Sequence, residues 1–119
     1  MSKELESRMV EFSSLIISLK EVLKGGYASS QLARQIIRSG LSCALNYGEA
    51  QNAQSRRDFI HKISIVIKEL RETSINLQII RKSALSKDEE LLSDIMQEND
   101  ELLAIFTKSL LTAKKNAEI

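Results

Sequence analysis

The sequence has no proline and no tryptophan, and only one cysteine and one histidine in 119 residues. Without proline, no position forces a helix to break. With Cys43 as the single thiol, no internal disulfide can form, which fits a reducing compartment. Aromatics make up 4 % of the chain, so the core must be aliphatic, built from Leu, Ile, Val and Ala. No apolar run approaches the ~20 residues that a membrane-spanning helix needs. The charged opening "MSKELESRMV" has no apolar segment close behind it of the kind a secretion signal carries. We therefore expect a cytoplasmic protein with no membrane partner. Charge of one sign is missing too: 17 Lys/Arg against 16 Asp/Glu leave a net charge of +1, so no bulk attraction to nucleic acid is implied.

What is present reads as one soluble globular domain over residues 1–119, with 43 % apolar and 28 % charged residues. A chain of this length buries about two-thirds of its unfolded surface and needs no covalent staple. Charge is unevenly spread. Residues 56–85 hold seven basic and three acidic residues, and residues 86–119 hold four basic and eight acidic. The two faces either attract each other, within or between subunits, or the basic one meets a polyanion.

Four helical segments are predicted, at about 3–24, 30–50, 56–83 and 87–115. In the first, Met9, Phe12, Ile16, Leu19 and Leu23 step by three and four. "KGGYASS" ends it, with Gly25–Gly26 supplying left-handed backbone and Ser29 or Ser30 capping the next helix. Ser55 caps the third, with Asp58 in the capping-box position, and Phe59, Ile63, Val66, Leu70, Leu77 and Ile80 form its stripe. Ser86 with Glu89 gives a capping box for the fourth, whose Leu92, Ile95, Leu102, Phe106 and Leu110 point inward. No strand pattern competes. Short connections make neighbours antiparallel, so the expected fold is all-α, an up-down-up-down four-helix bundle.

The second helix is unusual. Leu32, Ala33, Ile36, Ile37, Gly40, Leu41, Cys43, Ala44, Leu45, Tyr47, Gly48 and Ala50 occupy a continuous arc of roughly 220° at 100° per residue. A surface helix needs an apolar stripe of little more than about 100°. Gly40, Ala44 and Gly48 form a groove, and Ile37, Leu41 and Leu45 a ridge beside it. Each internal glycine costs a helix about 1 kcal/mol relative to Ala, which close helix approach would offset. Either the whole arc packs inside one bundle, or its outer half is covered by another copy; the width of the arc favours a homo-oligomer with these six residues at the interface. Ile65, Ile75 and Ile79, which lie off the core stripe of the third helix, support that reading.

The stretch "QIIRSGLSCALNYGEAQNAQSRRDFIHKISIVIKELRET" resembles the bacterial four-helix-bundle family of 23S rRNA intervening sequence proteins, also called ribosomal-like proteins. Arg38, Ser39, Asn46, Tyr47, Glu49, Ala50, Ser55, Asp58, Phe59, Ile60, Lys62, Lys68, Glu69, Glu72 and Thr73 stand where the family pattern expects them. Leu41 departs from it, where a small polar residue is usual, and so does Asn76, where an aromatic is usual. The match covers about residues 31 to 80. The resemblance implies a four-helix bundle assembled as a homopentamer, with no known enzymatic activity. It also links the chain to accessory proteins of diversity-generating retroelements, which form basic pentameric barrels that bind a reverse transcriptase and nucleic acid.

Chemistry-bearing residues are sparse. His61 has no second histidine or cysteine beside it, and Asp58 one turn earlier makes a weak metal motif, so it reads as an ordinary histidine. Cys43, amid small residues, reads as a buried hydrophobe. Folding the second helix against the third about "QNAQS" brings Arg38 opposite Glu69 and Glu72, and Asn46 and Glu49 opposite Asp58 to Lys62. Lys68 and Glu72 form an i,i+4 pair. We read Arg38, Lys68, Glu69 and Glu72 as structural polar pairs. Arg34, Arg38, Arg56, Arg57 and Lys62 are the candidate contacts to RNA or DNA, acting through phosphate because aromatics for base stacking are scarce. No phosphate loop, nucleophile elbow or metal cluster appears. The expectation is a non-enzymatic, self-assembling assembly or adaptor module with a protein partner, no cofactor, no metal and no small-molecule substrate. The alternative is a nucleic-acid-associated protein, rRNA- or retroelement-linked, that uses a basic face.

Overall fold

A computed structural model describes residues 2–117, with side chains from residue 3. It contains helices α1 (Ser2–Glu21), α2 (Tyr27–Gln51), α3 (Arg56–Lys82) and α4 (Glu89–Ala117). Each packs on its sequence neighbours, and α1 also packs on α4; across the diagonal the α2 and α4 backbones stay apart and meet through side chains, the Tyr47 ring against that of Phe106. This closes an up-down-up-down four-helix bundle of 51 × 22 × 22 Å.

The predicted stripes form the core. Met9, Phe12, Ile16 and Leu19 of α1, Ile63, Val66, Leu70, Leu77 and Ile80 of α3, and Leu92, Ile95, Leu102 and Phe106 of α4 are buried. Burial of such side chains contributes about 1.5–3 kcal/mol each and is the main force holding the bundle. Two expected members, Phe59 and Leu110, are only half-buried. Both lie toward the end of the bundle where α1 begins, and the core is less fully covered there. Most buried polar groups find partners: the Ser39 and Thr73 hydroxyls lie 2.7 Å apart, and Asn99 Nδ2 donates to the Leu70 carbonyl at 3.1 Å, while Ser29 Oγ and Asn99 Oδ1 are buried without one among the described residues.

Three helix ends differ from expectation. Neither Ser29 nor Ser30 caps α2. The helix starts three residues earlier, after Gly26 at φ 129°, and has no side-chain cap. Ser29 sits seven residues before Ile36, a multiple that returns it to the core face, and it is buried. α1 stops at Glu21 because the next residues bond elsewhere. Lys24 N donates to the Leu85 carbonyl at 2.7 Å, Lys87 N donates to the Val22 carbonyl at 2.8 Å, and Leu23 and Ser86 form an antiparallel bridge. The α1–α2 and α3–α4 connections are thereby sewn together. α4 starts at Glu89 under an Asp88 cap, whose Oδ1 accepts from Leu91 N at 3.0 Å; Ser86 instead accepts from Asp88 N, and Glu89 turns to Arg81. A first-turn carboxylate serves the exposed amides as well as a serine would, and it adds charge favourable to the helix dipole. The expected cap of α3 is present, with Asp58 N donating to Ser55 Oγ at 3.1 Å. α3 ends in a Schellman turn around Ala84, at φ 53°, with Leu85 N donating to the Ile80 carbonyl and Ala84 N to the Arg81 carbonyl.

Candidate assembly surface

The wide arc of α2 divides in two. Ser29, Ala33, Ile36, Gly40, Cys43, Tyr47 and Ala50, spaced by three and four, are buried in the bundle. Ile37, Leu41, Ala44 and Gly48 are half-buried, and Leu45 is 69 % exposed. Gly40 thus leaves the group of six proposed for an interface between copies. A Cβ built on it would stand 2.5 Å from Ile16 Cδ1, and its carbonyl accepts from Ser13 Oγ at 3.3 Å. Its role is close approach of α1 within one chain. Gly48 is the opposite case: a Cβ there meets nothing within 4 Å.

α1 extends this surface. The Ser13 and Ile16 contacts to Gly40 fix the antiparallel register of α1 on α2, which sets Val10 level with Ala44 and Ile17 level with Ile37. Val10 and Ile17 are exposed. Together with Ile37, Leu41 and Leu45 they make one apolar strip across two helices. The sequence signal was available: Val10 and Ile17 are seven residues apart and off the α1 core stripe. A second, separate strip runs down α3, where Lys68, Arg71, Ile75, Ile79 and Lys82 recur every three or four residues and are all exposed.

The five basic candidates do not converge. Arg38 binds Glu69 Oε2 at 3.2 Å and Glu72 Oε2 at 2.8 Å, Lys62 binds Glu49 Oε1 at 3.2 Å, and Arg56 Nη1 donates to the Asn116 carbonyl at 2.8 Å. Arg34 and Arg57 make no ion pair within 4.0 Å among the described residues. They are also far apart, since Arg34 lies roughly 25 Å of helix back from the hairpin turn beside Arg57. Lys68 does not pair with Glu72, because the Glu72 carboxylate is turned across to Arg38.

Cys43 is buried and donates to the Ser39 carbonyl. Burial first, and then the negative charge of Glu69 and Glu72, push its thiol from 9.0 up to about 12. A raised thiol value favours the fold below the unfolded value and loses that contribution as pH rises through the folded one. Stability should therefore fall as pH climbs from about 9 toward 12, and the fall should shrink in Cys43→Ala, read as urea midpoints across that range. Among the described residues no three His, Cys, Asp or Glu side chains cluster as metal ligands, and no helix is long and apolar enough to cross a membrane.

Residues 4–108 match the family described as 23S rRNA-intervening sequence protein. The chain belongs to that family. A crystal structure of a protein of unknown function from the S23 ribosomal protein family of Bacteroides thetaiotaomicron is 31 % identical, with a TM-score of 0.74 over 88 % of this chain and 96 % of that one. No curated protein matches the chain.

In this member of the 23S rRNA-intervening sequence family, the motif residues form a latch between α2 and α3. Arg38 grips Glu69 and Glu72, Ser39 meets Thr73, Glu49 meets Lys62, and Ser55 caps the helix that carries Asp58. Asn46 stays local, donating to the Ser42 carbonyl and hydroxyl. Asn76, at the position of an aromatic in the family pattern, is buried and donates to the Glu72 carbonyl of its own helix at 3.2 Å. Glu69 is only 5 % exposed, so its carboxylate depends on Arg38. Arg38→Ala should cost about 1–3 kcal/mol by leaving that carboxylate buried and unpaired. Adding Glu69→Gln should recover most of the loss, measured by urea denaturation.

Proposed function

We propose that this protein is a non-enzymatic building block that assembles with copies of itself and serves as an adaptor for a protein partner. The observation that supports this most is the apolar strip Val10–Ile17–Ile37–Leu41–Leu45, which its own bundle covers only in part, leaving Val10, Ile17 and Leu45 exposed. Scattered exposed apolar residues need no explanation, but a contiguous strip of this kind marks an interaction site. The isoleucine strip on α3 lies on a different face and is flanked by cations, so the two are not self-complementary copies of one patch. Unlike patches of this kind suit a head-to-tail contact, which closes into a ring where the rotation between successive copies permits and otherwise extends as a filament. Five is the copy number to test, from the resemblance noted in the sequence. Light scattering on the full chain tests the reading, and a monomer at working concentration would end it. Nucleic-acid binding has weaker support, since three of its five candidate cations already serve partners in the same chain.

A further inference from the structure

One end of the bundle is open. α3 and α4 run side by side as far as Arg56 and Asn116, which are hydrogen-bonded. Among the described residues α1 does not reach that level: Arg8 Nε pairs with Glu98 Oε2 at 3.0 Å, so the first turn of α1 stands near residues 101–104 of α4. No described part of α1 lies beside the final turns of α4. The result is a cleft of about 930 Å³, walled by Leu5 of α1, Tyr47 of α2, Phe59 of α3 and Ile105, Phe106 and Ala113 of α4. That is within the size range of small-molecule sites, which favour the spaces between the helices of bundles.

Two properties define what fits. The floor is apolar, with the Tyr47 and Phe106 rings edge to face at 5.2 Å, and Phe59 remains half-buried at the wall for want of a covering group. Among the described residues the charged lining is of one sign: Arg56 and Lys108 border the cleft, and the nearest carboxylate felt at its floor is that of Glu6, which acts on Tyr47 from outside the lining. Lys108 is exposed and has no ion pair within 4.0 Å among the described residues, and Arg56 spends one N–H on Asn116, leaving donors of its fork for another oxygen. The recess follows α4 from Ile105 to Asn116, with Leu5, Tyr47 and Phe59 across from it. An elongated apolar recess with cations at its border suits a single extended chain carrying an anionic head.

We propose that this cleft binds a long-chain carboxylate, its alkyl chain between Phe59, Ile105 and Phe106 and its head group at Lys108 and Arg56. The site is independent of the assembly strip, which lies on the outer faces of α1 and α2.

The test is calorimetric titration of the full chain with dodecanoate, dodecanol and dodecyltrimethylammonium, each below its micelle concentration. Dodecanoate should bind once per chain and the cationic amphiphile should not. Lys108→Gln with Arg56→Gln should weaken dodecanoate by about tenfold or more, as expected for losing a hydrogen bond to a charged group. Ala113→Trp should abolish binding while leaving molecular mass by light scattering unchanged. If that variant loses its helical signal, amide shift mapping on the unmodified chain decides instead: dodecanoate should move Phe59, Lys108 and Ala113 and leave Leu45 and Ile75 alone. Absence of binding, equal binding of all three amphiphiles, or shifts spread over the outer strips would overturn the proposal. So would a change of mass in a folded Ala113→Trp, which would mean that another copy fills the cleft.

Discussion

Under the proposed assembly, Leu45→Glu should give smaller species with the helical far-ultraviolet signal intact. The side chain is largely in water within one chain, so the substitution costs the bundle little, within about 0.5 kcal/mol. In an assembly, the same carboxylate would be taken out of water against apolar side chains, a penalty of several kcal/mol per contact that repeats at every interface where it does not reach the cations flanking Ile75 and Ile79. Leu41→Glu should act in the same direction. Ile75→Glu on the α3 strip separates two geometries. If like patches pair, Leu45→Glu breaks the assembly and Ile75→Glu leaves it whole. If unlike patches meet, either variant alone is reduced to monomer. An equimolar mixture of the two then recovers a dimer and nothing larger, because each variant keeps one good patch and the two good patches fit each other. Light scattering of the separate and mixed samples reads this directly. Assembly that survives Leu45→Glu and Leu41→Glu would remove the outer strip from the interface.

The two glycines of α2 should respond in opposite directions. Gly40→Val places a branched side chain where even a first carbon stands 2.5 Å from Ile16 Cδ1, and the hydroxyl of Ser13 and the backbone of α1 lie behind it. Ile16 is fully buried, so its tip has little room to turn. Overpacking a closed core of this kind costs about 1–3 kcal/mol. Losing the α1–α2 fit should put Gly40→Val at or beyond the top of that range. Gly48→Ala meets nothing, so the helix keeps the propensity gain of about 1 kcal/mol. Urea denaturation in the Leu45→Glu background isolates both effects from assembly. Equal and opposite shifts are not required, but a stabilising Gly40→Val would show that α1 does not press on α2 at that residue.

These glycines also show how far a sequence carries. Their spacing correctly marked a helix under unusual demands, but spacing alone placed both on one face with one purpose. Only the register of α1, set by Ser13 and Ile16, shows that Gly40 belongs inside and Gly48 outside. The core stripes, the order of the helices, the Ser55 cap and the Arg38–Glu69–Glu72 latch were legible because each depends on local periodicity or on one short hairpin. The true starts of α2 and α4 were not, because Gly26 and Asp88 competed with nearby serines of equal capping power. The open cleft could not be read at all. Its walls come from four separated segments, brought together by the register in which Arg8 meets Glu98 and Arg56 meets Asn116, a matter of three dimensions.

The seam between the two connections has a consequence for how the molecule breathes. Lys24 and Lys87 hold the far loops to each other through main-chain bonds, so that end behaves as a clasp shared by all four helices. At the opposite end, among the described residues, only the α2–α3 turn joins helices. Local opening should therefore be rarer beside the seam, which amide hydrogen exchange reads as slower exchange near Lys24 and Lys87 than near Asn52 and Ala53.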